Sequence, residues 1–179
     1  RSLALQWGDG EPAVLGTMDL LFLRAHMAEA FTAKFLAATG LKRHQLLLNM
    51  SHTHSGPLVG LTADLDSFGV PADQRAPVAA YTEKLQKQLV QLVAAALADR
   101  KPAWLSWGTG RAEFAMNRRL KTANGVVMAP NPQGCVDRTV RVLRVDDGQG
   151  RLRAVVFGYA CHPVTLDGNN RIISGDYVS

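Results

Sequence analysis

The sequence predicts an α/β fold in which helices flank a mixed sheet and an antiparallel hairpin follows, the whole being a fragment of a larger domain. Three observations carry this. Two stretches place apolar residues at helical steps of three and four, a short apolar run lies between them, and two β-rich runs flank a glycine-containing turn.

In chain order, Asp19 to Thr39 reads as a helix, because Leu20, Leu23, Met27, Phe31 and Phe35 fall on one face. Gly40 stands where a left-handed C-terminal cap belongs. Gln45 to Met50 has the length and apolar character of a buried strand. Ser51 to Pro71 is rich in Gly, Pro, Ser and Thr, the composition of a long functional loop with room for one helical turn. A second helix is expected from near Pro77, an allowed first-turn position, to about Ala98. Its apolar side would carry Val78, Tyr81, Leu85, Leu89, Leu92, Val93 and Ala96. Ala103 to Trp107 reads as a strand, and Glu113 to Met116 as a shorter one. Asn124 to Gly134, with Asn-Gly, Ala-Pro, Asn-Pro and Gln-Gly, reads as a loop. Thr139 to Val145 and Leu152 to Tyr159, around the glycine-containing Asp146-Asp147-Gly148-Gln149-Gly150, form the hairpin.

Composition narrows the class. The 179 residues are 47% hydrophobic and 20% charged, ordinary for a folded domain, which excludes wholesale disorder. The apolar runs are too short and too interrupted for a membrane span. Two cysteines, Cys135 and Cys161, make no disulfide framework. The chain starts at Arg1 with no basic-then-apolar leader and is expected to be an internal piece of a longer protein, truncated at both ends. Lys101 to Arg153 carries a net +6 within a chain of net +5, a balance that suits an anionic membrane surface or a solvated sheet face. With no Lys/Arg run and no interleaved aromatic stripe, no nucleic acid is expected as a partner.

Three polar clusters follow apolar segments. In Ser51-His52-Thr53-His54-Ser55-Gly56-Pro57, an extended backbone would turn His52 and His54 to one side, at a strand's carboxyl end where open α/β sheets hold ligands. Imidazole is the commonest protein ligand for zinc, although a loop pair of this kind also serves simply as hydrogen-bonded histidine. His162, in Tyr159-Ala160-Cys161-His162-Pro163, follows the same logic from a distant strand, and Cys161 beside it reads as a buried, inert thiol. Asn117-Arg118-Arg119 offers guanidinium groups that grip a carbonyl or carboxylate, or merely surface charge. Asp176, in Ser174-Gly175-Asp176, either orients a histidine or makes a turn.

Together these blocks resemble the neutral (non-lysosomal) ceramidase family in its N-terminal catalytic domain. The matching stretches are the helix from Asp19, His-Thr-His-Ser-Gly-Pro at His52 to Pro57, Asn117-Arg118, Asn131-Pro132, the hairpin, His162 and Ser174-Gly175-Asp176. The resemblance implies a zinc amidase that cuts the N-acyl bond of ceramide or a related N-acyl lipid, with Zn2+ as cofactor. It implies that His52 and His162 are metal ligands and that His54 and Arg118 lie in the substrate site. It also implies that residues 1–179 are part of a single hydrolase catalytic domain, that a glutamate and a tyrosine ligand come from later sequence, and that the enzyme is secreted or faces the cell envelope. The chain departs from the family at Leu58-Val59, at Cys161-His162-Pro163 and at Arg119, all near the substrate, which widens the substrate class beyond ceramide. Two rival readings stand beside it. One is a metal-free serine hydrolase built on Ser51 or Ser55, which lacks a Gly-x-Ser-x-Gly elbow. The other is a non-catalytic lipid- or carbohydrate-binding domain that keeps the fold.

Overall fold

The structure, a computed structural model, describes residues 1–166 and 170–179. The chain divides into two compact units, residues 1–100 with 163–179, and residues 101–162.

In the first unit, β1 (Ser2–Leu5), β2 (Ala13–Met18) and β3 (Leu46–Met50) form a sheet in that order. β1 runs antiparallel to β2, and β3 runs parallel to it, so the sheet is mixed as expected. The first two strands were not assigned from sequence, although β2 alternates with Val14, Gly16 and Met18 inward. Helix α1 (Ala25–Thr39) shares a hydrophobic core with this sheet, and Gly40 caps it in a left-handed conformation (φ 71°), its N–H bonded to the Leu36 carbonyl. The helix begins six residues later than the periodicity predicts. The Met18 and Leu20 carbonyls accept N–H groups from Ser51 and His52 instead, which draws that segment out of the helix. Leu20 and Leu23 still join the core with Met27, Phe31 and Phe35. β3 is an edge strand, and it buries Leu46 but exposes Leu47 where a fully buried strand was expected.

A short helix, α2 (Thr62–Ser67), interrupts the long loop, and α3 (Ala72–Ala98) follows. α3 starts five residues before the expected Pro77, which lies inside it. Its packed face is also rotated. Thr82, Gln86 and Val93 are buried, with Leu85, Leu89 and Leu97 against the core, while Tyr81 and Leu92 are exposed. Two polar residues occupy this face because each is bonded there. The Thr82 hydroxyl donates to the Val78 carbonyl and accepts from the Gly60 N–H, and the Gln86 carbonyl oxygen accepts from Lys34.

In the second unit, β4 (Ala103–Arg111), β7 (Thr139–Asp147) and β8 (Leu152–Gly158) form an antiparallel sheet in the order β4-β7-β8. The β7–β8 hairpin is the one predicted, with a register shift at Val145/Asp146. β5 (Arg119–Thr122) and β6 (Gly125–Met128) make a second hairpin, and β6 lies inside Asn124 to Gly134, expected to be loop. Its turn is Ala123-Asn124, and Gly125 opens β6 opposite Thr122 at φ 113°. Glu113 to Met116 is not a strand. The Ala115 N–H donates to the Tyr159 hydroxyl, and the Glu113 carboxylate pairs with Arg111 and Arg138, so this segment joins no ladder.

Candidate metal centre

β3 places the histidine string, but the backbone after it is not extended. His52 adopts the left-handed region (φ 64°), uncommon for a residue with a side chain. Its N–H donates to the Leu20 carbonyl at 3.0 Å and its Nδ1 to the Leu21 carbonyl at 2.7 Å. Thr53 is buried beneath the turn, its hydroxyl donating to the Ser174 carbonyl at 2.8 Å and accepting from the Ser55 N–H at 3.1 Å. Gly56 is required as glycine, because a Cβ there would lie 2.8 Å from the Asp19 carbonyl oxygen. The two imidazoles stand edge to face with centroids 5.4 Å apart. The sequence therefore anticipates the pairing of His52 and His54, but a tight turn brings it about rather than strand alternation.

His162 lies four residues past the end of β8 and is peptide-bonded to Pro163, where the chain re-enters the first unit. His52 and His54 are exposed and His162 is half-buried. Imidazole suits zinc, and the His52 ring is oriented by a ring N–H bonded to a backbone carbonyl, which leaves its Nε2 as the lone-pair nitrogen. Cys161 is half-buried rather than sealed, with its Sγ 3.8 Å from the His162 carbonyl oxygen.

Arg118 is half-buried in the second unit, just before β5, where its carbonyl accepts from the Ala129 N–H at 3.1 Å. Asp176 is buried in the first unit. Its carboxylate accepts from the Thr165 hydroxyl at 2.6 Å and from the N–H groups of Leu166 and Tyr177 at 3.1 and 2.7 Å. Burial alone would raise this carboxyl, but these hydrogen bonds outweigh it and hold it below the ordinary aspartate value. Of the two roles open to Asp176, these bonds describe the turn.

Sequence reasoning missed a second polar cluster in the first unit. Asp64 is buried, accepts from His26 Nε2 at 3.0 Å and from the Leu61 N–H at 3.1 Å, and pairs with Arg24 at 3.4 Å. Burial would raise this carboxyl too, but the His26 and Leu61 hydrogen bonds and the Arg24 charge hold it low. The Arg24 guanidinium also donates to the Ser67 hydroxyl and lies 4.2 Å from the Phe68 ring centroid. The available signal was Asp64 three residues after Leu61, the acceptor position of a helix start.

Two solved structures share this arrangement of elements. A ceramidase complexed with C2 and the neutral ceramidase from Pseudomonas aeruginosa each align over 93% of this chain with a TM-score of 0.70. The fold is that of a neutral ceramidase segment. Sequence identity to each is 21%, and the chain spans 26% of the length of those structures. No family model and no curated protein matches the sequence. Among the described residues, no helix is long and apolar enough to cross a membrane.

Proposed function

We propose that this ceramidase-like chain is part of a single zinc-hydrolase catalytic domain that hydrolyses the N-acyl bond of ceramide or a related N-acyl lipid, releasing an amine and a fatty acid. The observation that carries the reading is the His52–His54 pair, held edge to face at 5.4 Å on a fixed turn, in a chain with this fold. His52 and His162 would hold the metal. Zinc, when bound, supplies a Lewis acid for an amide carbonyl and lowers the pKa of a bound water to near 7. The Leu21 carbonyl fixes the His52 ring, so the nitrogen offered to the metal is set before binding. Thr53, anchored to Ser174, holds the turn between the two imidazoles. His54 and Arg118 would donate hydrogen bonds to the oxygen that gains charge, a role worth roughly 3–4 kcal/mol per donor where measured. A secreted or envelope-facing location accords with such a substrate.

Zinc titration and chelation test this reading. Two histidine ligands fall short of the usual four, so residues 1–179 alone should bind zinc weakly and show no activity. His52→Ala and His162→Ala should weaken that binding further. In the full-length protein, chelation should abolish release of fatty acid from an N-acyl lipid, and added zinc should restore it. Activity that survives chelation but is blocked by a serine-reactive probe would replace the proposal with the Ser51/Ser55 hydrolase.

A further inference from the structure

A cavity of about 490 Å³ opens beside the β5–β6 hairpin, lined by Asn117, Arg119, Leu120, Lys121, Asn131 and Gln133. Its walls are set by bonds that use up two of its three amides. Asn117 Nδ2 donates to the Cys135 carbonyl at 3.1 Å, and its Oδ1 accepts from the Arg119 N–H at 2.9 Å. Asn131 Nδ2 donates to the Arg119 carbonyl at 2.9 Å, and its N–H donates to the Asn117 carbonyl at 2.8 Å. Gly134 closes against Asn117 so tightly that a Cβ there would lie 2.4 Å from Asn117 Cγ. The backbone around the cavity is therefore fixed by its own hydrogen bonds.

The remaining polar groups are of one kind. Arg119 and Lys121 lie two residues apart on β5, so their stems leave the same face of the strand. Gln133 adds an amide. No carboxylate lines the cavity, and among the described residues no ion pair engages Arg119 or Lys121. Elsewhere in the unit Arg111, Arg138, Arg141, Arg144 and Arg151 each have an acidic partner. A planar guanidinium, a mobile ammonium and an amide N–H₂ around one polar cavity match the oxygens of a tetrahedral oxyanion.

We infer that the Arg119–Lys121–Gln133 cavity is a binding site for a phosphate oxyanion, supplied either free or as a phospholipid headgroup. The guanidinium would take two oxygens, with Lys121 and Gln133 donating to the others. Both cations are exposed, so affinity falls as salt rises.

The test measures binding of inorganic phosphate to the 179-residue chain by isothermal titration, and of phosphatidylglycerol-containing vesicles by co-sedimentation, with phosphatidylcholine vesicles as blank. It compares wild type, Arg119→Gln/Lys121→Gln, and the equal-charge control Lys84→Gln/Lys87→Gln on the exposed face of α3. All substituted side chains are exposed, and circular dichroism checks that each variant stays folded. Saturable phosphate binding that weakens about tenfold or more in the cavity variant and not in the control is the expected result, from the loss of charge-assisted hydrogen bonds. The same pattern with the vesicles alone assigns the oxyanion to the lipid headgroup. Binding absent in both arms, or lost equally in control and cavity variants, overturns the inference.

Discussion

The two units of this chain are stabilised by different means. The eleven-residue hydrophobic cluster lies entirely in the first unit, from Val14 to Val93, where α1 and α3 contribute to one core with the mixed sheet. In the second unit only Ala115 and Val145 count as buried hydrophobics among the described residues, while Trp104, Trp107, Val155 and Phe157 are exposed. That unit relies on antiparallel ladders, turn chemistry and arginine–carboxylate pairs at its surface. Exposed pairs of this kind contribute about 0–1 kcal/mol each, whereas burial of a large aromatic side chain contributes several times more. The difference bears on function: the His52–His54 turn is built on the densely packed unit, where its geometry is held by Thr53, Gly56 and the Leu20 and Leu21 carbonyls.

The sharpest way to break the contrast is through Phe35. It is 0% exposed, stacks edge to face on Phe31 and sits where α1 meets the core. Phe35→Ala should lower the unfolding free energy by about 3–5 kcal/mol, since lost burial and a residual cavity add. Urea denaturation followed by circular dichroism checks it. A loss below about 1 kcal/mol would mean that the first unit's core is not what holds the chain folded.

Helices and the β7–β8 hairpin were legible because their signals are local. Phe31 and Phe35 repeat at helical spacing, Gly40 marks a cap, and β-rich runs bracket a glycine turn. What escaped was set by partners far along the chain. The start of α1 depends on Ser51 and His52 competing for the Met18 and Leu20 carbonyls, and no window around Asp19 contains that information. The buried face of α3 turned toward Thr82 and Gln86 because Gly60 and Lys34 satisfy them, so polarity alone misled the reading. The closeness of His52 and His54 was legible in part, from their spacing after an apolar run. The left-handed His52 that orients the pair was not, because nothing in a histidine's neighbours demands a positive φ.

A smaller effect is expected at Asp64, which joins the start of α1 to α2. Its carboxyl is held below the ordinary value in the fold and returns to about 3.9 when unfolded. A depressed carboxyl contributes stability above the unfolded value, and that contribution is lost as pH falls through the folded value. Asp64→Asn keeps an acceptor for the Leu61 N–H but removes the charge facing His26 and Arg24. It should cost about 1–3 kcal/mol near pH 6, with the gap from wild type narrowing as pH drops below 4. Denaturant midpoints across pH 3–7 measure this. A gap that stays constant with pH would assign the cost to packing rather than charge.

The smallest effect is predicted for Trp107, the counterpart of Phe35 in the second unit. It lies in β4 opposite Leu143 and is 83% exposed, so truncating it removes little area that folding had withdrawn from water. Cross-strand contact with Leu143 contributes a few tenths of a kcal/mol at most, and alanine is a poorer strand former than tryptophan by a similar amount. Trp107→Ala should therefore change unfolding free energy by no more than about 0.5 kcal/mol, in the same urea experiment as Phe35→Ala. All three tryptophans, Trp7, Trp104 and Trp107, are exposed, so native emission should already resemble that of a solvated indole. A loss of several kcal/mol on truncation, or blue-shifted emission that Trp107→Ala abolishes, would show that this face is covered in solution. The second unit would then owe its stability to burial after all, and the contrast with the first would fail.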